Sequence, residues 1–302
     1  MDFKKFEDEG DYENNKKQGD NTNSHLAGST DTGGGEDVRL ERLDFEFRRN
    51  PVLTWFRMMF PHLNLATLTV GIAAIWTVVY FFELLLWRNN EWKCLLYSLG
   101  SNFTPAIKRG QIQRLFFPDF LHNDWARLLW NVFVYLSVGC NAEHYLKLIP
   151  YSILIGASIL LGNLFGAGFR YDIWQEAVGA TPVIMGILAF ELLWFIFNWN
   201  KMGKSQWLFA IYFSTIFWTT LISTWAAGSG HDFWGHFGGF MAGLWVSGFF
   251  YSEITKFNIM DKGKFAFIAL YIIMFFIAVL CICLRSTSRC YDNICKIKWS
   301  FS

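Results

Sequence analysis

Apolar residues in this 302-residue chain fall into long blocks separated by short polar stretches. Seven blocks stand out, at about 64–87, 126–147, 149–168, 178–198, 206–227, 233–251 and 265–284. Each is close to the roughly 20 residues that an α-helix needs to cross the hydrocarbon core. The second block opens amid polar residues, and the sixth contains glycines and a histidine. The pattern predicts an all-α, polytopic membrane protein.

The flanks are different material. Residues 1–46 carry Asp, Glu, Asn, Lys, Gly and Ser with few large apolar groups. Such a segment buries too little to offset its ordering entropy, so a disordered cytosolic tail is expected. It has neither the apolar core of a signal peptide nor the Arg-rich, acid-poor look of a transit peptide, so the first membrane helix is expected to act as the insertion signal. A juxtamembrane segment (47–63) leads into a transmembrane domain (64–284) and a C-terminal tail (285–302). Arg48, Arg49 and Arg57 before the first helix, with Lys201 and Lys204 after the fourth, favour a cytosolic N-terminus. Seven crossings then put Arg285, Arg289, Lys296 and Lys298 on the far side, against the same tendency. The sequence favours a secretory-pathway or plasma-membrane location over a mitochondrial one, and leaves oligomeric state open.

Composition narrows the function classes. With 53% apolar residues, 32 Phe, 15 Trp and a net charge of +1, the chain offers no basic surface for nucleic acid. Membrane lipid is the expected surrounding. Six cysteines show no metal-ligand spacing, and neither a metal nor a cofactor is expected. Cys94, Cys140, Cys281 and Cys283 read as small hydrophobes, and Cys290 with Cys295 as a pair able to close a small loop in an oxidising lumen. Glu83 and Glu191 are intramembrane acids, which by default are site candidates; partners in helix packing explain them as well. Asn102-Phe103-Thr104 is a glycosylation sequon in the loop from about 88 to 125, which is amphipathic through Trp87, Trp92, Leu95, Leu96 and Tyr97.

Two stretches place polar groups at the start of apolar blocks: Val178-Gly179-Ala180-Thr181-Pro182-Val183-Ile184-Met185-Gly186 and Asp232-Phe233-Trp234-Gly235-His236-Phe237-Gly238-Gly239-Phe240-Met241-Ala242-Gly243. A hydroxyl and an imidazole inside a membrane need a pairing or a task. His236, Gly239 and Gly243 fall at i, i+3 and i+7, on one helix face, where glycine lets another helix come very close. These stretches resemble the rhomboid family of intramembrane serine proteases, whose fourth helix carries Gly-x-Ser-Gly and whose sixth carries Ala-His-x-Gly-Gly. The resemblance covers nearly everything after residue 50. Residues 98–111, then Arg114, Phe117-Pro118, Phe120-Leu121-His122, Asn131, Gly139 and Glu143, are similar to the family's first extramembrane loop and second helix. Several spacings agree together: His122 is nine residues before Asn131, Glu143 twelve after it, and Gly186 five after Thr181.

The resemblance implies a rhomboid fold of six core helices plus a C-terminal seventh. It also implies roles. Thr181 stands at the nucleophile position, His236 at the base position, and Asn131 with Arg127 at the oxyanion position. Here the chain departs from the family, with Thr for the nucleophilic Ser, Pro182 for the following Gly, Arg127 for a His and Gln113 for the Trp before Arg114. A hydroxyl attacks only with a base in hydrogen-bond reach, and one lost oxyanion donor costs about 100- to 1000-fold in rate. Thr181 is a secondary alcohol with a restricted χ1. A structural alternative makes Thr181 the N-cap and Pro182 the first helical residue. His236 has one too, as a packing histidine. Arg127 is expected either near the oxyanion position or turned out toward headgroups, too far from Glu143 to pair.

The expected function is that of a rhomboid-like pseudoprotease that binds transmembrane segments of client proteins and affects their trafficking or degradation. The alternative is an active intramembrane endopeptidase using Thr181 and His236. A pore or transporter built on Glu83 and Glu191 lacks the broken-helix pair that marks such sites. The topology is testable: protease added to sealed microsomes is expected to remove the N-terminal tail and spare the 88–125 loop. Digestion of that loop with protection of the tail reverses the orientation.

Overall fold

A computed structural model describes residues 56, 59–60, 62–87, 91–199, 206–226, 232–255 and 258–286, all within the unit Trp55–Ser302. The expectations for residues 1–46, for Arg48, Arg49, Arg57, Lys201, Lys204, Arg289, Lys296 and Lys298, and for Cys290–Cys295 lie outside the described residues.

Among the described residues, seven long helices follow the seven apolar blocks: α1 (Leu68–Trp87), α2 (Trp125–Leu146), α3 (Leu148–Phe169), α4 (Thr181–Asn198), α5 (Gln206–Ala226), α6 (Phe233–Thr255) and α7 (Asn258–Leu284). The only pairing of strand type among them is an isolated bridge between Asn102 and Ala177. Four of the seven are long and apolar enough to cross a membrane by length and composition: α1, α3, α4 and, within α7, Gly263–Leu284. The protein is therefore an integral, multi-pass membrane protein. The other three long helices carry polar residues or glycines that lower their apolar content.

Helix boundaries differ from the hydropathy blocks for local reasons. α4 begins at Thr181 and not near 178, because Gly179 has φ 125°, which no helix accommodates. α7 begins at Asn258, seven residues before its apolar block, since backbone hydrogen bonding carries a helix through polar residues where hydropathy has already dropped. α1 begins at Leu68, where the Glu143 carboxylate from α2 accepts from the backbone N–H groups of Leu68 and Thr69, each at 2.9 Å, and from the Thr69 hydroxyl at 2.7 Å. A carboxylate there satisfies orphan donors and meets the positive end of the helix dipole. Gly139, one turn before Glu143, lets α2 approach: a Cβ there would lie 2.8 Å from the Thr69 methyl and from the Tyr151 hydroxyl.

Burial ranks the helices. In α4, 61% of the apolar window is buried inside the protein, against 11% in α7, so α4 is central and α7 peripheral. α6 makes its largest interfaces with α3 and α4, and glycine permits both. A Cβ on Gly239 would sit 2.8 Å from the Pro182 Cα, one on Gly243 2.6 Å from the Gly186 Cα, and one on Gly238 2.7 Å from the Leu161 carbonyl oxygen. Lipid tails are as apolar as side chains, so helices in a bilayer associate through such close contact and not by escaping water.

The 88–125 loop is ordered by its own polar groups. It contains the helices Trp92–Leu99 and Thr104–Lys108 and two 3₁₀ turns, Ile112–Leu115 and Phe117–Phe120. Arg114 holds it together: the guanidinium donates to the carbonyls of Tyr97 (2.8 Å) and Ser101 (3.0 Å), and its Nε donates to the Gln111 side chain (2.6 Å). The sequon residue Asn102 is tied into the fold. Asn102 is fully buried, its amide nitrogen donates to the backbone and side-chain oxygens of Asn163, and its backbone pairs with Ala177 in both directions. The nitrogen a glycan would take is already committed to the fold.

The two intramembrane acids have packing partners. Glu83 accepts from the backbone N–H of His122 at 3.3 Å through both oxygens, and Glu191 accepts from the Asn141 amide at 2.8 Å. The cysteine expectation needs one correction: Cys94 is disulfide-bonded, because a residue that is apolar in sequence is here held where a partner sulfur reaches it. Cys140, Cys281 and Cys283 are free, with only Cys140 buried.

The glycine contacts generate a stability prediction. Gly239→Ala and Gly243→Ala are each expected to lower detergent stability by about 1–3 kcal/mol, the range for overpacking. Gly156→Ala, whose Cβ would meet nothing within 4 Å, is expected to be neutral or stabilising, by up to about 1 kcal/mol. Thermal melts of the three variants check this, and equal melting of Gly239→Ala and Gly156→Ala would contradict the packing argument.

Candidate functional site

α4 and α6 run parallel in register, since Gly239 meets Pro182 and Gly243, four residues on, meets Gly186. His236, three residues before Gly239, therefore lies about 4.5 Å further toward the helix N-termini, at the level of the Gly179–Thr181 turn. Thr181 is 4% and His236 7% exposed. Both predicted residues are thus buried at the junction where α4 begins.

The Thr181 N-cap expectation is corrected. Ala180 is the N-cap, with φ −73° and ψ 7°, and no side chain caps this helix. The Ala180 carbonyl accepts the first intrahelical bond, from Ile184 at 3.2 Å. The hydroxyl of Thr181 is consequently not consumed in the first turn. Pro182 holds the position of the turn, because Cβ atoms on Gly162 and Gly239 would both overlap it.

Asn131 and Arg127 come to the same place from α2. A Cβ on Gly179 would lie 3.8 Å from the Arg127 Cδ, 3.9 Å from the Asn131 Nδ2 and 3.9 Å from the Thr181 Oγ1. Three side chains from two helices therefore converge around a glycine that leaves room for them. Asp124 accepts from the Arg127 backbone N–H at 2.8 Å as the N-cap of α2, and it is the Cδ of the Arg127 stem that lies beside Gly179.

Three further residues join the site, and the sequence reading assigned none of them there. The His122 Nε2 is 3.2 Å from the Asn131 Nδ2. Burial first, with the Arg127 charge adding to it, pushes the His122 pKa down to about 4; the neutral ring accepts from the Asn131 amide. Asp232 caps α6, its Oδ1 accepting from the Gly235 N–H at 3.1 Å, while its carbonyl oxygen faces the His236 Nδ1. A carbonyl only accepts, so Nδ1 carries the proton and Nε2 is the acceptor nitrogen. Arg170, at the end of α3, pairs with Asp232 at 2.7 Å and donates to the Gln175 carbonyl at 3.0 Å. Asp four residues before His and three before Gly is the one sequence signal for this, an N-cap pattern at the start of an apolar run.

Below this lies a buried acid. Asp119 is 1% exposed and accepts from the Asn163 amide, and the neighbouring Pro118 carbonyl accepts from the Gly179 N–H at 2.9 Å. Burial raises the Asp119 pKa well above the carboxylate range; the Asn163 hydrogen bond opposes this and the Asp232 charge adds to it. Among the described residues no group of three or more His, Cys, Asp or Glu side chains has the arrangement of a metal site.

Residues 109–253 match the Rhomboid domain family model, a span that contains Arg114, Arg127, Asn131, Thr181 and His236. Rhomboid-like protease 1 of Toxoplasma gondii is 25% identical over 212 residues, 68% of this chain and 71% of that protein. Rhomboid-like protease 3 of the same organism is 26% identical over 222 residues, 73% of this chain and 82% of that protein. Rhomboid-like protease 2 is 24% identical over 213 residues, 65% and 71% respectively.

Asp119 provides a test of the site's electrostatics. Its folded pKa is raised above the unfolded value, so between the two the folded state holds the extra proton and stability falls as pH rises. That loss begins near pH 4 and continues up to the folded pKa. Asp119→Asn keeps the acceptor oxygen and has no proton to lose, so its melting temperature is expected to depend less on pH between 5 and 8 than that of the wild type. Parallel melting curves across that range would show that Asp119 is not buried as described.

Proposed function

We propose that this multi-pass membrane protein, which carries a rhomboid-family domain, is a catalytically impaired member that binds transmembrane segments of client proteins and affects their trafficking or degradation. The observation that carries the reading is the nucleophile position. Thr181 there is a secondary alcohol with a restricted χ1, and Pro182 is wedged against Gly162 and Gly239, so the turn that carries the hydroxyl is held rigid. A secondary alcohol on a rigid turn is a poorer nucleophile than the primary alcohol whose position it takes. The scaffold around it is intact, with α4 central and α1 and α7 presenting apolar faces to lipid, as lateral binding of a helix requires.

The second reading, an intramembrane endopeptidase using Thr181 and His236, is favoured by the tautomer of His236. Its Nδ1 is held on the Asp232 carbonyl, which leaves Nε2 in the form of a general base. The relatives in Toxoplasma gondii carry the name protease, and Asn131 keeps its place beside Thr181. The two readings separate by chemistry at residue 181. A mechanism-based serine-hydrolase probe applied to the purified protein in detergent is expected to leave Thr181 unmodified while labelling an active rhomboid treated in parallel.

Thr181→Ser alone is expected not to restore cleavage of a generic rhomboid substrate. Pro182 still locks the turn and Arg127 still occupies the oxyanion side, each at a cost on the order of 2 kcal/mol in transition-state stabilisation. Thr181→Ser with Pro182→Gly and Arg127→His is expected to exceed every single variant, non-additively because the groups act as a unit. Cleavage by the wild type that is lost in both Thr181→Ala and His236→Ala refutes the impaired reading.

A further inference from the structure

A single residue, Lys147, stands between the end of α2 and the start of α3. It turns the chain with φ 68° and ψ 170°, and among the described residues it is the one non-glycine with a positive φ. That backbone conformation suits glycine, and a side chain held in it is strained. The chain nevertheless places a cation there.

Lys147 borders a cavity of about 500 Å³ that His62, Asn64, Thr67, Glu143 and His144 also line. Its charge reaches the His144 ring, which stacks on His62 with centroids 3.9 Å apart and planes 5° from parallel. The side-chain oxygen acceptors around this cavity are engaged. Both Glu143 oxygens accept from the start of α1, and the Asn64 side-chain oxygen accepts from the Ala66 N–H at 3.0 Å. The Thr67 hydroxyl donates to the Asn64 carbonyl at 2.7 Å and accepts from the Val70 N–H at 3.3 Å. Donors remain: the Lys147 ammonium, the Asn64 amide nitrogen and at least one N–H on each imidazole. α3 also starts at this turn with no side chain capping it, so its first N–H groups add positive partial charge. Such a surplus of donors matches an anion that brings several oxygens at once, as a phosphate ester does.

The surroundings are those of a lipid. Leu63 and Leu148 line the same cavity, and beside them Leu65 and Ile149 are 84% and 73% exposed. α1 begins, α2 ends and α3 begins at this level, where headgroups meet acyl chains and where basic pockets between helices take anionic lipid. Lys147 is 16 residues beyond Asn131, roughly 24 Å of helix rise, so the cavity is separate from the Gly179 turn. We propose that this cavity is a phosphate-ester site for the headgroup of an anionic phospholipid, with Lys147, His62, His144 and Asn64 on the phosphate and the leucines on the acyl chains. The site does not depend on whether Thr181 cleaves.

The test uses the purified full chain in detergent with fluorescent phosphatidic acid, whose headgroup is a bare phosphate monoester, and the matching phosphatidylcholine. The wild type is expected to bind phosphatidic acid roughly 10-fold more tightly than phosphatidylcholine. Lys147→Gly is expected to bring the two affinities together while melting at the wild-type temperature or above it, since glycine is unstrained at that φ. Lys147→Arg keeps the charge and is expected to keep the preference. Lys93→Gln, which removes an exposed cation from the 88–125 loop, is expected to leave the preference unchanged; an equal loss there shows attraction by net charge alone and overturns the site. Glycerol 3-phosphate separates the two sources of a phosphate ester. Displacement of the fluorescent lipid by the soluble ester at comparable concentration overturns the lipid assignment in favour of a soluble ligand, and retention of the lipid supports it. Equal wild-type affinity for the two lipids overturns the phosphate site, and that comparison needs no variant, so misfolding of Lys147→Gly leaves the result decisive.

Discussion

The absence of side chains where α6 crosses α4 and α3 is the constraint on which the rest depends. Gly239 and Gly243 bring the α6 backbone against Pro182 and Gly186, and Gly238 brings it against Leu161 and Phe165. A bilayer supplies no hydrophobic drive for helices to associate, so dense contact between backbones has to do so. The same contact sets a register. With α6 fixed against α4, the His236 level is fixed against Thr181, and the site inherits its geometry from packing several residues deeper.

Above that seam, a chain of buried polar groups ties the elements that carry the site. Asn102 reaches α3 through Asn163, Asn163 reaches Asp119, and Arg170 reaches Asp232, whose carbonyl faces His236. Buried polar groups are expensive unless paired, and here the pairing also fixes the loop against the helix ends. The first three links each join residues far apart in the chain, so the loop and the helix termini are ordered together.

Scaffold and reactive groups are therefore separable in this protein. Glu143 capping α1, Arg114 closing the loop and the glycine seam between α6 and α4 depend on geometry alone. Thr181 and the Arg127 stem lie beside Gly179, outside those contacts, and Pro182 is where the two meet, wedged against Gly162 and Gly239 at the turn that starts α4.

The amino-acid sequence by itself determined what rests on local periodicity and backbone chemistry. Apolar blocks of bilayer length gave seven helices, and the i, i+3, i+7 spacing of His236, Gly239 and Gly243 marked a face that the structure does use for close packing. Thr181, Asn131, Arg127 and His236 were marked by the resemblance to the rhomboid family, and atoms of the first three lie near Gly179. Only the tertiary structure decided where polar side chains spend their hydrogen bonds. It buried Asn102, the sequon residue of the 88–125 loop, against Asn163, which is 61 residues away. It made Ala180 and not Thr181 the cap of α4, placed Cys94 in a disulfide, and drew His122, Asp232 and Arg170 toward the site. Periodicity reports which face of a helix is apolar, because that depends on neighbours three and four residues away. Burial and partnership depend on residues brought near by the packing of other helices, and no window along the chain contains both members of such a pair.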